Sequence, residues 1–246
     1  MNWLLLRGLG REQRHWGGFP EILRAAVGGE VRCIDAPGFG TECTRRSPST
    51  IGAITDDIRG RFGAPAGEWS IVGISLGGMV ALDWCARYPG DFRRAVVINT
   101  SSGQSLPHRR FRFESLPVLA GSRLGDPVAA ERAILGVACN SASVDREALA
   151  REWAAYAAEF GASRGSIAAQ MLAALRFRHP RTVSVPLLVL ASRADRLVSY
   201  RCSRRIATAL GAPLRLHETA GHDLPLDDPT WIAERIVEWM PSRESR

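Results

Sequence analysis

At 246 residues, 46% of them hydrophobic and 23% charged, the chain has the length and composition of one large globular domain or of a core domain carrying an insertion. Two equal domains would be cramped, and a disordered or fibrous chain is excluded. The formal charge of +7 comes from 32 basic residues, all arginine, spread along the whole chain with no nucleic-acid motif beside them, which argues against a nucleic-acid partner.

The elements follow in chain order as short apolar runs of strand length, each bounded by Gly, Pro or Asp: NWLLL (2–6), VRCID (31–35), WSIVG (69–73), RAVVIN (94–99), PLLVLAS (186–192) and PLRLHET (213–219). Helical patterns such as Met79 to Tyr88 and Tyr200 to Leu210 lie between most of them. Strands alternating with helices predict an α/β protein, a mostly parallel sheet with helices on both faces. One interval breaks the rhythm. From Gly103 to Val183 there is no convincing strand, only helical sequence rich in Ala, Leu and Arg. The expected organisation is therefore a core of residues 1–102 and 184–246 with a helical cap inserted at 103–183, and a frayed tail PSRESR.

No stretch reaches the roughly 18 apolar residues of a membrane span, and the apolar run in MNWLLLRGLG is too short for a signal peptide. A cytoplasmic protein without membrane contact is expected. Cys33, Cys43, Cys85, Cys139 and Cys202 are scattered, odd in number and without metal-type pairing, so reduced and mostly buried thiols are expected.

The chemistry concentrates in WSIVGISLGGMVALDWCARYP (69–89), where a strand passes through Gly73-Ile74-Ser75-Leu76-Gly77 directly into a helix. A residue at the centre of such a turn is held in strained geometry, and glycines on either side remove side chains that would strike the neighbouring elements. The Ser75 hydroxyl is thereby presented at the carboxyl end of the sheet beside a helix N-terminus, whose partial positive charge favours a developing anion. A phosphate-binding or purely structural turn is the competing reading, but neither a P-loop lysine nor a dinucleotide spacing is present. A serine nucleophile needs a base oriented by a third group. PLLVLASRADRLVS places Asp195 just past one strand, and LRLHETAGHDLPLDDP places His222 in the loop past the next.

In these stretches the chain resembles the α/β-hydrolase superfamily over essentially its whole length. GISLGG resembles its nucleophile elbow, SRADRLVS its acid loop, TAGHDLPLDDP its histidine loop, and DAPGFG (35–40) the loop after its second strand; the order Ser75, Asp195, His222 is that of its triad. Size and helical insertion are most similar to carboxylesterases of the pimeloyl-ACP methyl ester esterase type. The resemblance implies a Ser75–His222–Asp195 triad, oxyanion donors at the backbone N–H groups of Leu9 and Leu76, an acyl-enzyme cleaved by water, and no cofactor or metal. Two departures stand out. Arg7-Gly8-Leu9-Gly10 replaces the usual His-Gly after the first strand, and Arg7 either forms a structural hydrogen bond or adds a charge near the site. The hairpin that usually precedes this strand is expected to be missing, which would leave about six strands.

The function expected is hydrolysis of a carboxylic ester, with a methyl ester of a carrier-bound acyl chain as one form of it. The same triad serves thioesterases, lactonases, C–C hydrolases and acyltransferases, and the fold also supports idle binding modules. A dehalogenase would require an aspartate at position 75. His15, His108, His179 and His217 lack companion ligands at metal spacing, and Asp223, Asp227 and Asp228 lie too close along the chain to orient the His222 ring from the opposite side. Trp153, Tyr156 and Phe160 recur at helical spacing and are expected in the cap core. Between Gly103 and Arg181 eleven arginines face seven acids, densest at HRRFRF and RFRHPR. Arg109, Arg110 and Arg112 are thus candidates for a basic collar that draws in an anionic substrate or an acidic carrier protein, against the alternative of ordinary solvated arginines.

Overall fold

A computed structural model describes residues 1–63, 65–113, 125–161 and 163–241; Glu114 and Arg123 of the cap charge count and most of the PSRESR tail lie outside them. Six strands, β1 (Asn2–Leu6), β2 (Val31–Cys33), β3 (Trp69–Ile74), β4 (Ala95–Ile98), β5 (Leu187–Ser192) and β6 (Leu214–His217), form one sheet in the order β2-β1-β3-β4-β5-β6. Every pairing is parallel, including Leu5 opposite Val72, Val72 opposite Val96, and Val96 opposite Leu188. All six expected strands are present.

The central strands read as continuous apolar runs because both faces are covered, and the period of two divides them between two cores. Leu4, Leu6, Ile71, Val97 and Val189 face α2 (Ile51–Phe62), α3 (Leu76–Arg87) and, further along the chain, α8 (Tyr200–Leu210). Trp3, Leu5, Val72, Ile74, Val96, Ile98, Leu188 and Leu190 face α1 (Phe19–Val27) and α10 (Pro229–Trp239). Ile58 and Phe62 of α2 and Phe19 and Leu23 of α1 show how one stripe of each helix is spent on the sheet.

Between β4 and β5 the described residues contain helices only: α4 (Pro107–Arg110), α5 (Pro127–Ala138), α6 (Arg146–Glu159) and α7 (Arg164–Arg176). They do not behave as one unit. Ala173, Ala174 and Phe177, in and just past α7, join the core beside α2 and α3, whereas α5 and α6 share a small cluster of their own around Leu135, Cys139, Ala150 and Trp153. So few large side chains, at about 1.5–3 kcal/mol each when buried, leave α5 and α6 dependent on polar links to the rest of the molecule. Arg11 supplies one, pairing with Glu131 at 2.8 Å while its guanidinium stacks on Trp153. Arg14 supplies another, lying over Tyr156 and Phe160. Trp153 is thus in the cluster that α5 and α6 share and Tyr156 packs against it, while Trp153, Tyr156 and Phe160 all meet arginines of the β1–α1 connection. His15 in that connection is buried edge-on to Trp153 and Tyr156, and burial beside Arg11 and Arg7 pushes its pKa well below the ordinary 6.5.

Among the described residues no helix is long and apolar enough to cross a membrane. The five cysteines are free, with Cys85, Cys139 and Cys202 buried.

Candidate active site

Ser75 is the single residue between β3 and α3. Its φ of 55° and ψ of −115° place a non-glycine residue where few are found, at a cost of about 1–3 kcal/mol. The surroundings hold it there: Ser75 N–H donates to Ile98 O at 2.8 Å, the Thr100 hydroxyl donates to Ser75 O at 3.3 Å, and Gly78 N–H donates to the same oxygen at 3.1 Å. A Cβ on Gly73 would overlap the Gly77 carbonyl, and one on Gly77 would overlap the Leu6 carbonyl at the end of β1. These two glycines are demanded by the packing of helix on strand. Ser75 itself remains partly accessible.

The connection leaving β1 runs alongside. A Cβ on Gly8 would stand 3.2 Å from Ser75 Cβ and 3.8 Å from its Oγ, so the Arg7–Gly10 backbone passes directly over the serine. Leu76 N–H opens α3 and has no intrahelical acceptor. Gly10 N–H donates to Gln170 Oε1 at 3.0 Å, which ties this connection to α7.

His222 lies just before α9 (Leu224–Asp227), and its Nδ1 meets Asp195 Oδ2 at 2.7 Å. Asp195 is 1% exposed, and its other oxygen accepts the N–H groups of Leu197 at 2.7 Å and Val198 at 2.9 Å. That arrangement orients the ring and leaves Nε2 as its second functional atom. Burial acts to lower the His222 pKa, but the charge and hydrogen bond of Asp195 outweigh it, and the net effect is upward from the ordinary 6.5.

The neighbouring acids have other partners. Asp223 forms a two-pronged buried ion pair with Arg7, at 3.0 and 2.5 Å, and the guanidinium lies over Trp16, 4.8 Å from the ring centre. The arginine that replaces the usual histidine therefore fastens the connection above Ser75 to the residue following His222. Asp227 accepts N–H groups from Asn140, Ser141 and Gly221, joining the end of α5 to the histidine loop. Asp228 meets His217 Nε2 at 3.2 Å and caps α10 through Trp231 N–H. Among the described residues no group of three His, Cys, Asp or Glu side chains is placed to hold a metal ion.

The arginine collar needs correction at Arg110. This residue is 5% exposed, and its guanidinium donates to the carbonyls of Ala174 and, at 3.0 Å, Leu175, so it caps the end of α7 and cannot present its charge on an open rim. Arg109 and Arg112 are half-buried, and their backbones are hydrogen-bonded to the acid loop at Ser199 and Leu197. Arg112 also donates to Asp195 O at 3.3 Å. The two basic stretches HRRFRF and RFRHPR do converge, since Arg110, Phe111, Ser105, Leu175, Arg176 and Arg178 line one cavity of about 260 Å³.

A family model described as the alpha/beta hydrolase family matches residues 3–235. The chain belongs to the alpha/beta hydrolase family. Within it, the chain is similar to RutD of Agrobacterium fabrum, a protein named for carbamate hydrolysis, with 29% identity over 96% of this chain and 92% of that one. Among solved structures it is similar to an enol-lactonase of Burkholderia xenovorans (TM-score 0.70, 19% identity, 96% of this chain and 90% of that one). It is also similar to a thermophilic esterase of Thermogutta terrifontis (TM-score 0.68, 21% identity, 97% and 89%). At these identities the two structures speak for the fold of this family member alone.

Sequence reasoning raised a structural hydrogen bond for Arg7 without finding its partner, and it missed Asn99. The Arg7–Asp223 pair joins positions 216 residues apart, and its only trace is an arginine where a histidine is usual. Asn99, at the end of β4, has no motif around it at all.

Proposed function

We propose that this hydrolase cleaves carboxylic esters through Ser75, His222 and Asp195. Ser75 Oγ attacks the carbonyl carbon, His222 Nε2 takes the hydroxyl proton and returns it to the departing alkoxide, and Asp195 holds the imidazole in the tautomer that makes this possible. Water then attacks the acyl-enzyme with His222 again as base. The oxyanion is received by the backbone N–H groups of Leu9 and Leu76, beside the positive end of α3. The observation that carries this reading is the conjunction of a strained serine at a helix N-terminus with a buried His222–Asp195 hydrogen bond of 2.7 Å, both on loops at the carboxyl ends of parallel strands.

A carbamate is the second reading. It is favoured by the relative matched over nearly the whole chain, and it presents the same carbonyl to Ser75 with an amine or alcohol as leaving group. A carrier-borne methyl ester is a narrower form of the first reading, in which an acidic carrier meets the exposed Arg176, Arg178 and Arg181. The deciding experiment is a substrate panel of p-nitrophenyl esters of increasing acyl length, an aryl carbamate, a thioester and a lactone, assayed at low and high salt with Ser75→Ala as control. Preference for an ester over the carbamate at equal leaving group supports the first reading, and the reverse preference the second. A steep fall with salt for an anionic ester alone supports the carrier form. Turnover that survives Ser75→Ala sinks all three.

A further inference from the structure

We propose that Asn99 is a positioning residue that sets where His222 stands relative to Asp195. The proposal rests on the reading of His222 as the base, but its observations are independent of that chemistry.

Asn99 is the first residue past β4, is 2% exposed, and has a φ of 48°, a conformation asparagine tolerates better than other side-chain-bearing residues. Its backbone N–H donates to Leu190 O at 3.0 Å, continuing the ladder to β5. The left-handed turn takes its side chain out of the β4 pattern. Asn99 Oδ1 accepts the N–H of Ser192, the last residue of β5, at 2.8 Å. Asn99 Nδ2 donates to His222 O at 2.8 Å, to Gly221 O at 3.3 Å and to Ser192 Oγ at 3.2 Å. The orientation of the amide is unambiguous, because a backbone N–H only donates and two carbonyls only accept. One buried carboxamide therefore spans the end of β5, three residues before Asp195, and the main chain of His222 itself.

The neighbours of Asn99 complete the arrangement. Ile98 O receives Ser75 N–H at 2.8 Å, and Thr100 Oγ1 donates to Ser75 O at 3.3 Å. Ile98, Asn99 and Thr100 thus reach the serine turn, the base of the acid loop and the histidine loop from one strand end. The serine turn is also held by its own backbone, whereas for the carbonyls of Gly221 and His222 Asn99 supplies side-chain donors from a rigid strand. Burial away from water makes those bonds costly to lose, since the two carbonyls are left without a replacement donor.

Asn99→Gly is the informative substitution, because glycine accepts the positive φ and removes only the carboxamide. In the folded variant kcat should fall about ten- to a hundredfold with KM within about twofold of wild type, as expected when reacting groups are misplaced without loss of binding. The low-field proton resonance of the His222 Nδ1–H···Asp195 bond should broaden or disappear in the same variant. A folded Asn99→Gly protein with wild-type kcat and an intact low-field proton overturns the proposal. Should that variant fail to fold, Asn99→Asp keeps the acceptor for Ser192 N–H and loses both donors. It is measured in the same two ways, and a wild-type kcat with an intact low-field proton again overturns the proposal. The wild-type protein gives a third check: the Asn99 side-chain amide protons should exchange slowly with solvent, and rapid exchange overturns the proposal. Failure of the catalytic reading is seen separately, as hydrolysis that persists in Ser75→Ala, and leaves the low-field proton and amide exchange as tests of Asn99.

Discussion

The two halves of the proposed site are built by different means. The serine half is made of backbone: a strand, a turn and a helix contiguous in sequence, whose glycines exist because Cβ atoms at 73 and 77 would strike carbonyl oxygens. The histidine half is made of side chains from distant parts of the chain. Asp195 orients the ring of His222, Asn99 grips its main chain, Arg7 takes the carboxylate of Asp223, and Asp227 binds the loop to the end of α5. A backbone turn is hard to alter except at its glycines. A loop held by side chains is adjustable one contact at a time, which makes it the place where pH response and stability are set.

Substitutions should separate the halves by the size of their effects. Ser75→Ala should abolish labelling by a fluorophosphonate and lower kcat by about four or more orders of magnitude while leaving the fold intact, measured by labelling and by thermal melting. If another residue takes up the probe, the serine half has been misassigned.

Asp195→Asn should lower kcat by about a thousandfold or more through the wrong imidazole tautomer. It also carries a signature in pH. His222 must be neutral to act as base, so kcat/KM in the wild type should rise with pH through a midpoint above the ordinary imidazole value of 6.5, because Asp195 stabilises the charged form. Removing that negative charge should move the midpoint of the residual activity downward. An unmoved midpoint would show that the acid limb belongs to a different group.

Arg7→Met tests the contrast from the side of stability. The Arg7–Asp223 pair is almost fully buried, with side-chain exposures of 5% and 8%, and breaking such a pair by removing one partner costs about 3–5 kcal/mol. The double variant Arg7→Met, Asp223→Leu should recover most of that loss in a denaturant melt, because no buried charge is left alone. Arg7 also lowers the His222 pKa, so the single variant should shift the acid limb upward, opposite to Asp195→Asn. Equal stability of the single and double variants would mean that the pair does not fasten the two loops.

The smallest effect concerns His15, which joins the β1–α1 connection to α6. Its folded pKa lies well below the unfolded one, so the native state favours the neutral ring. Its contribution to stability is present above the unfolded value near 6.5 and is lost on acidification, at up to about 1.4 kcal/mol per pH unit, until the folded pKa is reached. His222, raised rather than lowered, is protonated in both states through most of that window and adds little opposing slope. His15→Phe should flatten the pH dependence of the melting temperature between pH 6.5 and about 5; an unchanged slope would assign acid sensitivity elsewhere.

What the sequence by itself determined is what local chemistry encodes. The six strands were legible because both faces of a parallel sheet are buried, which writes strands as apolar runs ended by Gly, Pro or Asp, and the serine turn because glycine is the only residue that fits beside a carbonyl at contact distance. Asp195 and His222 were legible through their places after successive strands. The tertiary structure alone decided that Arg7 is spent on Asp223, that Arg110 caps α7 instead of facing outward, and that Asn99 reaches across β5 to the histidine loop. Each of these is a contact made by a side chain with a part of the chain tens to hundreds of residues away. Its geometry follows from the stacking of strands in the order β2-β1-β3-β4-β5-β6, a long-range arrangement that leaves no period or spacing in the chain.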